Sequence, residues 1–219
     1  MELSHKLVPF NSKTGSLFIS MEGIEGSGKS TQIKILADFF KKNGYEVLTL
    51  REPGGTKFGE GLRSAILESD EPLHPLAEAY LFASSRAQLL KEKVLPFLKR
   101  SKSIVILDRY IDSSIAYQGM ARGLGADAII DIHSYAPLNI VPNITFYLKI
   151  DLETSMQRQD ARGNTKDYFE KESKIFYTKL IEGYDLCAKR FPQRVQSIDA
   201  SKSLEDVSHE LISLVKNVL

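Results

Sequence analysis

Residues 23–31 read GIEGSGKST, directly after the apolar run LFISME (17–22) and directly before KSTQIKILADFFKKNG, where Ile33, Leu36, Ala37 and Phe40 recur at helical spacing. Gly23, Gly28, Lys29 and Ser30 fill every fixed position of GxxxxGK[ST]. Strand, glycine-rich turn and helix start together make a phosphate cradle, because the glycines let backbone N–H groups turn inward and the helix start adds its positive end. The pattern places Gly23, Ile24, Glu25, Gly26, Ser27, Gly28, Lys29, Ser30 and Thr31 around the phosphates of a nucleoside triphosphate. Lys29 is expected on the outer phosphates and the Ser30 hydroxyl on Mg²⁺. Glu25 is the odd member, since a carboxylate beside bound anions is costly unless it is paired.

Outward from this loop the chain alternates. EVLTLR (46–51), SIVILD (103–108), NITFYLKI (143–150) and RVQSID (194–199) read as further strands. Helices are predicted over 57–67, over a long stretch opened by Pro75 and kinked or ended by Pro96, over 112–121 and 126–135, and from an Asp151 cap to about Arg158. More follow over 168–191 and after Ser203, which forms a capping box with Asp206. The fold class is therefore α/β: a P-loop NTPase fold with a five-stranded parallel sheet, helices on both faces, and a mobile lid in the polar RQDARGNTKD segment. Residues 1–16 read as a loose extension and 17–219 as one domain, with the lid at about 158–168. Ligands then sit at the carboxyl ends of the strands.

Net charge is +1, so there is no global field for nucleic acid, and no apolar stretch is long enough for a signal peptide or a membrane span. The single Cys187 cannot form an intrachain disulfide, which fits a reducing, cytoplasmic setting. The four His residues lack partners at metal-binding spacing.

Residues just after the strands carry the remaining chemistry. Asp108, after the third long strand, suits a second Mg²⁺-directed group. Arg51, Arg86 and Arg109 gather guanidinium groups where a second phosphate would lie. Phe82 and Arg86, four apart, share a helix face that suits a planar base. A GTPase is disfavoured by the absence of NKxD. A kinase for another small acceptor and a nucleotide sensor stay open on these grounds.

The loop with an acid at its third position, REPGGT (51–56), FASSR (82–86), DRYIDSSIAYQGMARG (108–123) and the Arg-bearing loop together resemble the thymidylate kinases, from about Leu17 to the end. The resemblance implies transfer of the γ-phosphoryl of ATP to dTMP, a lid, and a homodimer. It implies that Phe82 stacks on thymine, that Arg86 bonds its exocyclic oxygen, and that Ser114 and Gln118 line the base edge. Tyr117 would face the 2′ carbon, Arg51 and Arg109 the dTMP phosphate, Asp199, Ala200 and Ser201 the adenine, and Glu25 the sugar 3′-OH. Some family members carry Arg where this chain has Gly26; those without it keep arginines in the lid. Here the lid cations are Arg162, expected to act on the transition state, and Arg158, expected second. Glu170 matches a lid acid that contacts the acceptor sugar.

Overall fold

The structure, a computed structural model, describes residues 7–11, 15–69, 71–161 and 172–218. Its elements in order are β1 (Val8–Pro9), β2 (Leu17–Glu22), α1 (Lys29–Lys42), β3 (Glu46–Arg51), α2 (Lys57–Leu67), α3 (Pro75–Leu89), α4 (Leu95–Leu98), β4 (Ser103–Asp108), α5 (Ile111–Ser114), α6 (Ala126–Ile132), β5 (Ile140–Val141), β6 (Ile144–Lys149), α7 (Leu152–Asp160), α8 (Lys174–Arg190), β7 (Val195–Asp199) and α9 (Leu204–Lys216). The main sheet has five parallel strands in the order β3-β4-β2-β6-β7. The chain runs from central β2 out to β3, returns to β4, then crosses to β6. That reversal opens the crevice at the carboxyl end of β2.

Alternation along buried strands splits the core in two. Leu17, Ile19 and Met21 of β2, with Ile104 and Ile106 of β4, pack with α1, α8 and α9. Phe18, Val105 and Leu107 face the other way, toward Leu89, Leu90, Val94, Ile129 and Ile130. Both sheet faces are thus covered, as continuous apolar strands require. The expected caps form: Asp151 accepts from Thr154 N, and Ser203 accepts from Asp206 N.

One expectation needs correction and three are refined. Residues 7–10 are not loose: β1 pairs with β5, Phe10 N donates to Val141 O, and Leu7 is buried. The irregularity expected around Pro96 is present. A wider π-helical stretch, Leu90–Val94, leads into α4, whose first turn can accept a residue without an N–H. The helix expected at 112–121 is α5 running into a second π-helical stretch, Ile115–Ala121. Finally, α7 extends to Asp160, two residues past the expected end at about Arg158.

Candidate active site

The phosphate loop bends where the sequence allows it to. Gly23 has φ +135°, and a Cβ there would lie 2.5 Å from Leu148 O, so no larger residue fits. Gly26 has φ +81° and lies against α7: a Cβ would come 3.0 Å from Ser155 O and 3.3 Å from Arg158 Cβ. Lys29 is buried, and its Nζ donates to Gly23 O (2.8 Å) and Ile24 O (3.0 Å). Burial and the neighbouring Arg109 push its ammonium down to about 8. Ser30 and Thr31 open α1 at the surface.

The segment after β4 is clamped to β2. Arg109 takes a left-handed backbone, φ +72°, rare for a non-glycine residue. Its N–H donates to Met21 O (3.0 Å), and the next N–H, of Tyr110, donates to Glu22 Oε1 (2.7 Å). Ser113 Oγ donates to Glu22 Oε2 (2.6 Å). Burial and then Asp112 push the Glu22 carboxyl up to about 8. Arg194 grips Asp112 with two bonds, 2.7 and 2.8 Å, in the same buried layer. This framework aims the Arg109 guanidinium at Gly23 O (3.1 Å), Tyr184 Oη (2.9 Å) and Glu25.

Glu25 is thereby paired. Arg109 bonds its Oε1, and Tyr117 Oη donates to the same atom (2.8 Å). Burial alone would raise its carboxyl, but Arg109, Lys29 and Tyr117 hold it below the ordinary carboxylate range. The Arg109 guanidinium also lies 5.1 Å from the Tyr117 ring centre.

A cleft opens beside this pair, lined by Glu25, Glu52, Pro53, Arg63, Leu67, Phe82, Arg109, Ser113, Ser114, Tyr117 and Gln118. Among the described residues, Glu25 Oε2, Glu52 Oε1 and Gln118 Oε1 are buried acceptors without a hydrogen-bond partner, and all three residues line this one cleft. Buried acceptors are normally satisfied. The cleft therefore suits a ligand with an apolar ring, donor hydrogens and negative charge.

The expected residues divide between this cleft and its surroundings. Glu25, Phe82, Arg109, Ser114, Tyr117 and Gln118 come together on its walls. Arg86 lies beneath them, buried; its Nε and Nη2 each lie 2.6 Å from Glu52 Oε2, and Nη1 reaches Ser114 Oγ (3.0 Å) and His133 Nε2 (2.6 Å). Burial and Arg86 push His133 down to about 3, so its ring is neutral and its Nε2 accepts. Arg51 sits apart: it is exposed, pairs with Glu60 (3.2 Å), and lines a second hollow with Ser30 and Asp108. Arg51 ends β3, and its ion pair draws it to Glu60 of α2. Arg158 Nη1 donates to Gly26 O (3.2 Å) and Nη2 to Ala200 O (3.1 Å), so it ties the phosphate loop to the Asp199–Ser201 turn. Ser201 in turn donates to Asp199. Arg162 and Glu170 lie outside the described residues.

Sequence reasoning did not single out Glu52, Arg63, Ser113, Glu78, Arg122 or His133. Glu52, Ser113 and Arg122 stand within quoted motifs. The other three carry no local signal.

Among the described residues no group of three or more His, Cys, Asp or Glu could hold a metal, and no helix is long and apolar enough to cross a membrane. Ser30 and Asp108 still offer oxygen donors in one hollow. Mg²⁺ suits such a site, because it keeps its waters and binds through one or two protein oxygens plus phosphates.

A family model described as thymidylate kinase matches residues 21–211. The chain is 46% identical over 202 residues to a thymidylate kinase of Thermoanaerobacter sp. (strain X514), covering 92% of this chain and 98% of that one. It is 37% identical over 196 residues to one from Kosmotoga olearia, covering 90% and 93%. A crystal structure of thymidylate kinase from Ehrlichia chaffeensis superposes with a TM-score of 0.72 at 31% identity, covering 92% of this chain and 99% of that one.

Proposed function

The chain belongs to the thymidylate kinase family and phosphorylates dTMP to dTDP with ATP; from that premise we propose how its residues divide the work. The observation that carries the assignment of sites is the trio of unpartnered acceptors, Glu25, Glu52 and Gln118, in one cleft beside the phosphate loop.

ATP lies with its phosphates in the loop from Gly23 to Thr31 and its adenine near Asp199, Ala200 and Ser201. Lys29 exchanges its two bonds to loop carbonyls for phosphate oxygens, a change that restores its full charge. Ser30 and Asp108 hold Mg²⁺, which when bound neutralises phosphate charge. dTMP lies in the cleft with thymine against Phe82, and its 3′-OH donates to Glu25 Oε2. Arg109 faces its phosphate. An oxygen of that phosphate attacks the γ-phosphorus, the bond to the β-phosphate oxygen breaks, and ADP leaves with the electron pair. The attacking oxygen is already ionised at neutral pH, so no general base is needed. Positioning and charge neutralisation provide the acceleration.

We place this chain with the family members whose cations come from the lid. Support comes from Gly26: a side chain there would press on Ser155 O at 3.0 Å. The cations are then Arg158, at the end of α7, and Arg162 beyond it, with Glu170 near the acceptor sugar. The enzyme acts in the cytoplasm as a homodimer. The exposed Phe58 of α2 and Leu76 and Tyr80 of α3 supply apolar surface for the second copy. ADP release from Mg·ATP with dTMP, dUMP, dCMP, dGMP and no acceptor tests the assignment. Stimulation by dTMP above all others is expected; equal slow release in every tube would remove it.

A further inference from the structure

We propose that Glu78 is a positioning residue: it fixes the amide of Gln118 so that the carbonyl faces the nucleobase, and so selects a base carrying N3–H over one with a bare N3. The inference rests on dTMP occupying the cleft described above.

Glu78 lies in α3, one turn before Phe82, and is fully buried although it carries a carboxylate. Its two oxygens are committed to different partners. Oε1 accepts from Gln118 Nε2 at 2.7 Å, and Oε2 accepts from Arg122 Nε at 3.3 Å. Arg122 is held in place by Glu172 (2.6 Å) and lies 4.9 Å from the Phe176 ring centre. Arg122 beside Oε2 opposes protonation of the Glu78 carboxyl, which burial favours.

A carboxylate only accepts. The NH₂ end of Gln118 must therefore turn toward Glu78, which leaves Oε1 as the end available to the cleft. That oxygen is buried and has no partner among the described residues. Thymine and uracil present a donor hydrogen on N3, and cytosine presents a lone pair there. A fixed carbonyl satisfies the first two and opposes the third, and a site built for a hydrogen bond rejects the ligand that cannot make it. Without Glu78 the amide could rotate and accept either pattern.

Glu78→Gln tests this because it is isosteric and has one acceptor end. The charged guanidinium of Arg122 attracts that oxygen, which turns the new NH₂ toward Gln118. The Gln118 carbonyl then turns inward to accept it, and its NH₂ faces the base. The ratio of kcat/KM for dTMP over dCMP should fall at least about tenfold in Glu78→Gln. The ratio for dTMP over dUMP should hold, since both carry N3–H, and Glu78→Asp should keep the wild-type preference. A merely structural lesion lowers all three acceptors together and moves neither ratio. An unchanged dTMP over dCMP ratio in a folded Glu78→Gln overturns the proposal, whereas a wild-type enzyme without preference for dTMP over dCMP overturns the dTMP assignment itself. If the isostere fails to fold, N3-methyl-dTMP with wild-type enzyme decides. Loss of turnover supports the fixed carbonyl, and turnover within about twofold of dTMP overturns it.

Discussion

Glu52→Ala should be among the most damaging single substitutions outside the phosphate loop. The Glu52 and Arg86 side chains are 2% and 1% exposed, and Glu52 Oε2 lies 2.6 Å from Nη2 of Arg86. Burial still pushes the Glu52 carboxyl above its ordinary range despite Arg86, so the pair is costly to keep buried. It is costlier to break. Truncation would leave the Arg86 guanidinium with Ser114 Oγ, the neutral His133 and the face of Tyr110 at 4.9 Å, none of which carries charge. Removing one partner of a buried pair costs about 3–5 kcal/mol. The three remaining contacts place the expectation near the lower end, about 3 kcal/mol. For a chain of this size that is a fall in Tm of roughly 6–12 °C.

Urea denaturation followed by far-ultraviolet circular dichroism gives the measurement. The double variant Glu52→Leu/Arg86→Met is the informative control, because it removes both charges and fills the space. It should recover most of the lost stability while lacking activity, since the cleft floor is gone. A loss below about 1 kcal/mol in Glu52→Ala would refute the reasoning, since it would mean that water already satisfies Arg86.

Gly183→Ala and Gly61→Ala should have opposite signs. At Gly183 a Cβ would lie 2.6 Å from Ala116 Cα, where α8 crosses the π-helical stretch, so about 1–3 kcal/mol of overpacking is expected. Gly61 in α2 has open space, and alanine there should stabilise by up to about 1 kcal/mol of helix propensity. Thermal melts of the two variants decide. Lys29 should also contribute increasing stability to the ligand-free protein as pH rises from about 8 toward 10.5, against an opposing loss from the buried Tyr110, Tyr117, Tyr184 and Cys187, whose protons the folded chain retains. In that window the unfolded chain holds the Lys29 proton that the folded chain has released, so the Lys29 contribution rises with pH, by at most on the order of 3 kcal/mol. The difference in urea midpoint between wild type and Lys29→Met should shift in favour of the wild type across this window; a constant difference would show that Lys29 is not depressed.

The parts of the fold legible in the sequence are those written contiguously. A strand announces itself by an unbroken apolar run and α1 by its spacing, and the phosphate loop needs only nine consecutive residues. The β1–β5 pair was not legible, because two-residue strands carry no period and their pairing joins Val8 to Ile140. The cleft was legible in part. Phe82 and Arg86 do share a helix face, but spacing gives direction without depth. It could not show that Phe82 reaches the wall while Arg86 lies beneath it with Glu52.

The charges follow the same logic. Glu25 with Arg109, Glu52 with Arg86, Asp112 with Arg194 and Glu78 with Arg122 are partners from separate elements. Only Glu25 stood out in a linear reading, by its place in an anion cradle; Glu52, Glu78 and Asp112 look there like solvated surface residues, which is where most carboxylates belong. Pairing across elements also explains how a chain with net charge +1 can bring two phosphate groups together. Arg109 is held in place by a buried acid and so meets the substrate already oriented, while Arg86, Arg122 and Arg194 brace the walls behind it, and the ordering cost was met on folding rather than on binding.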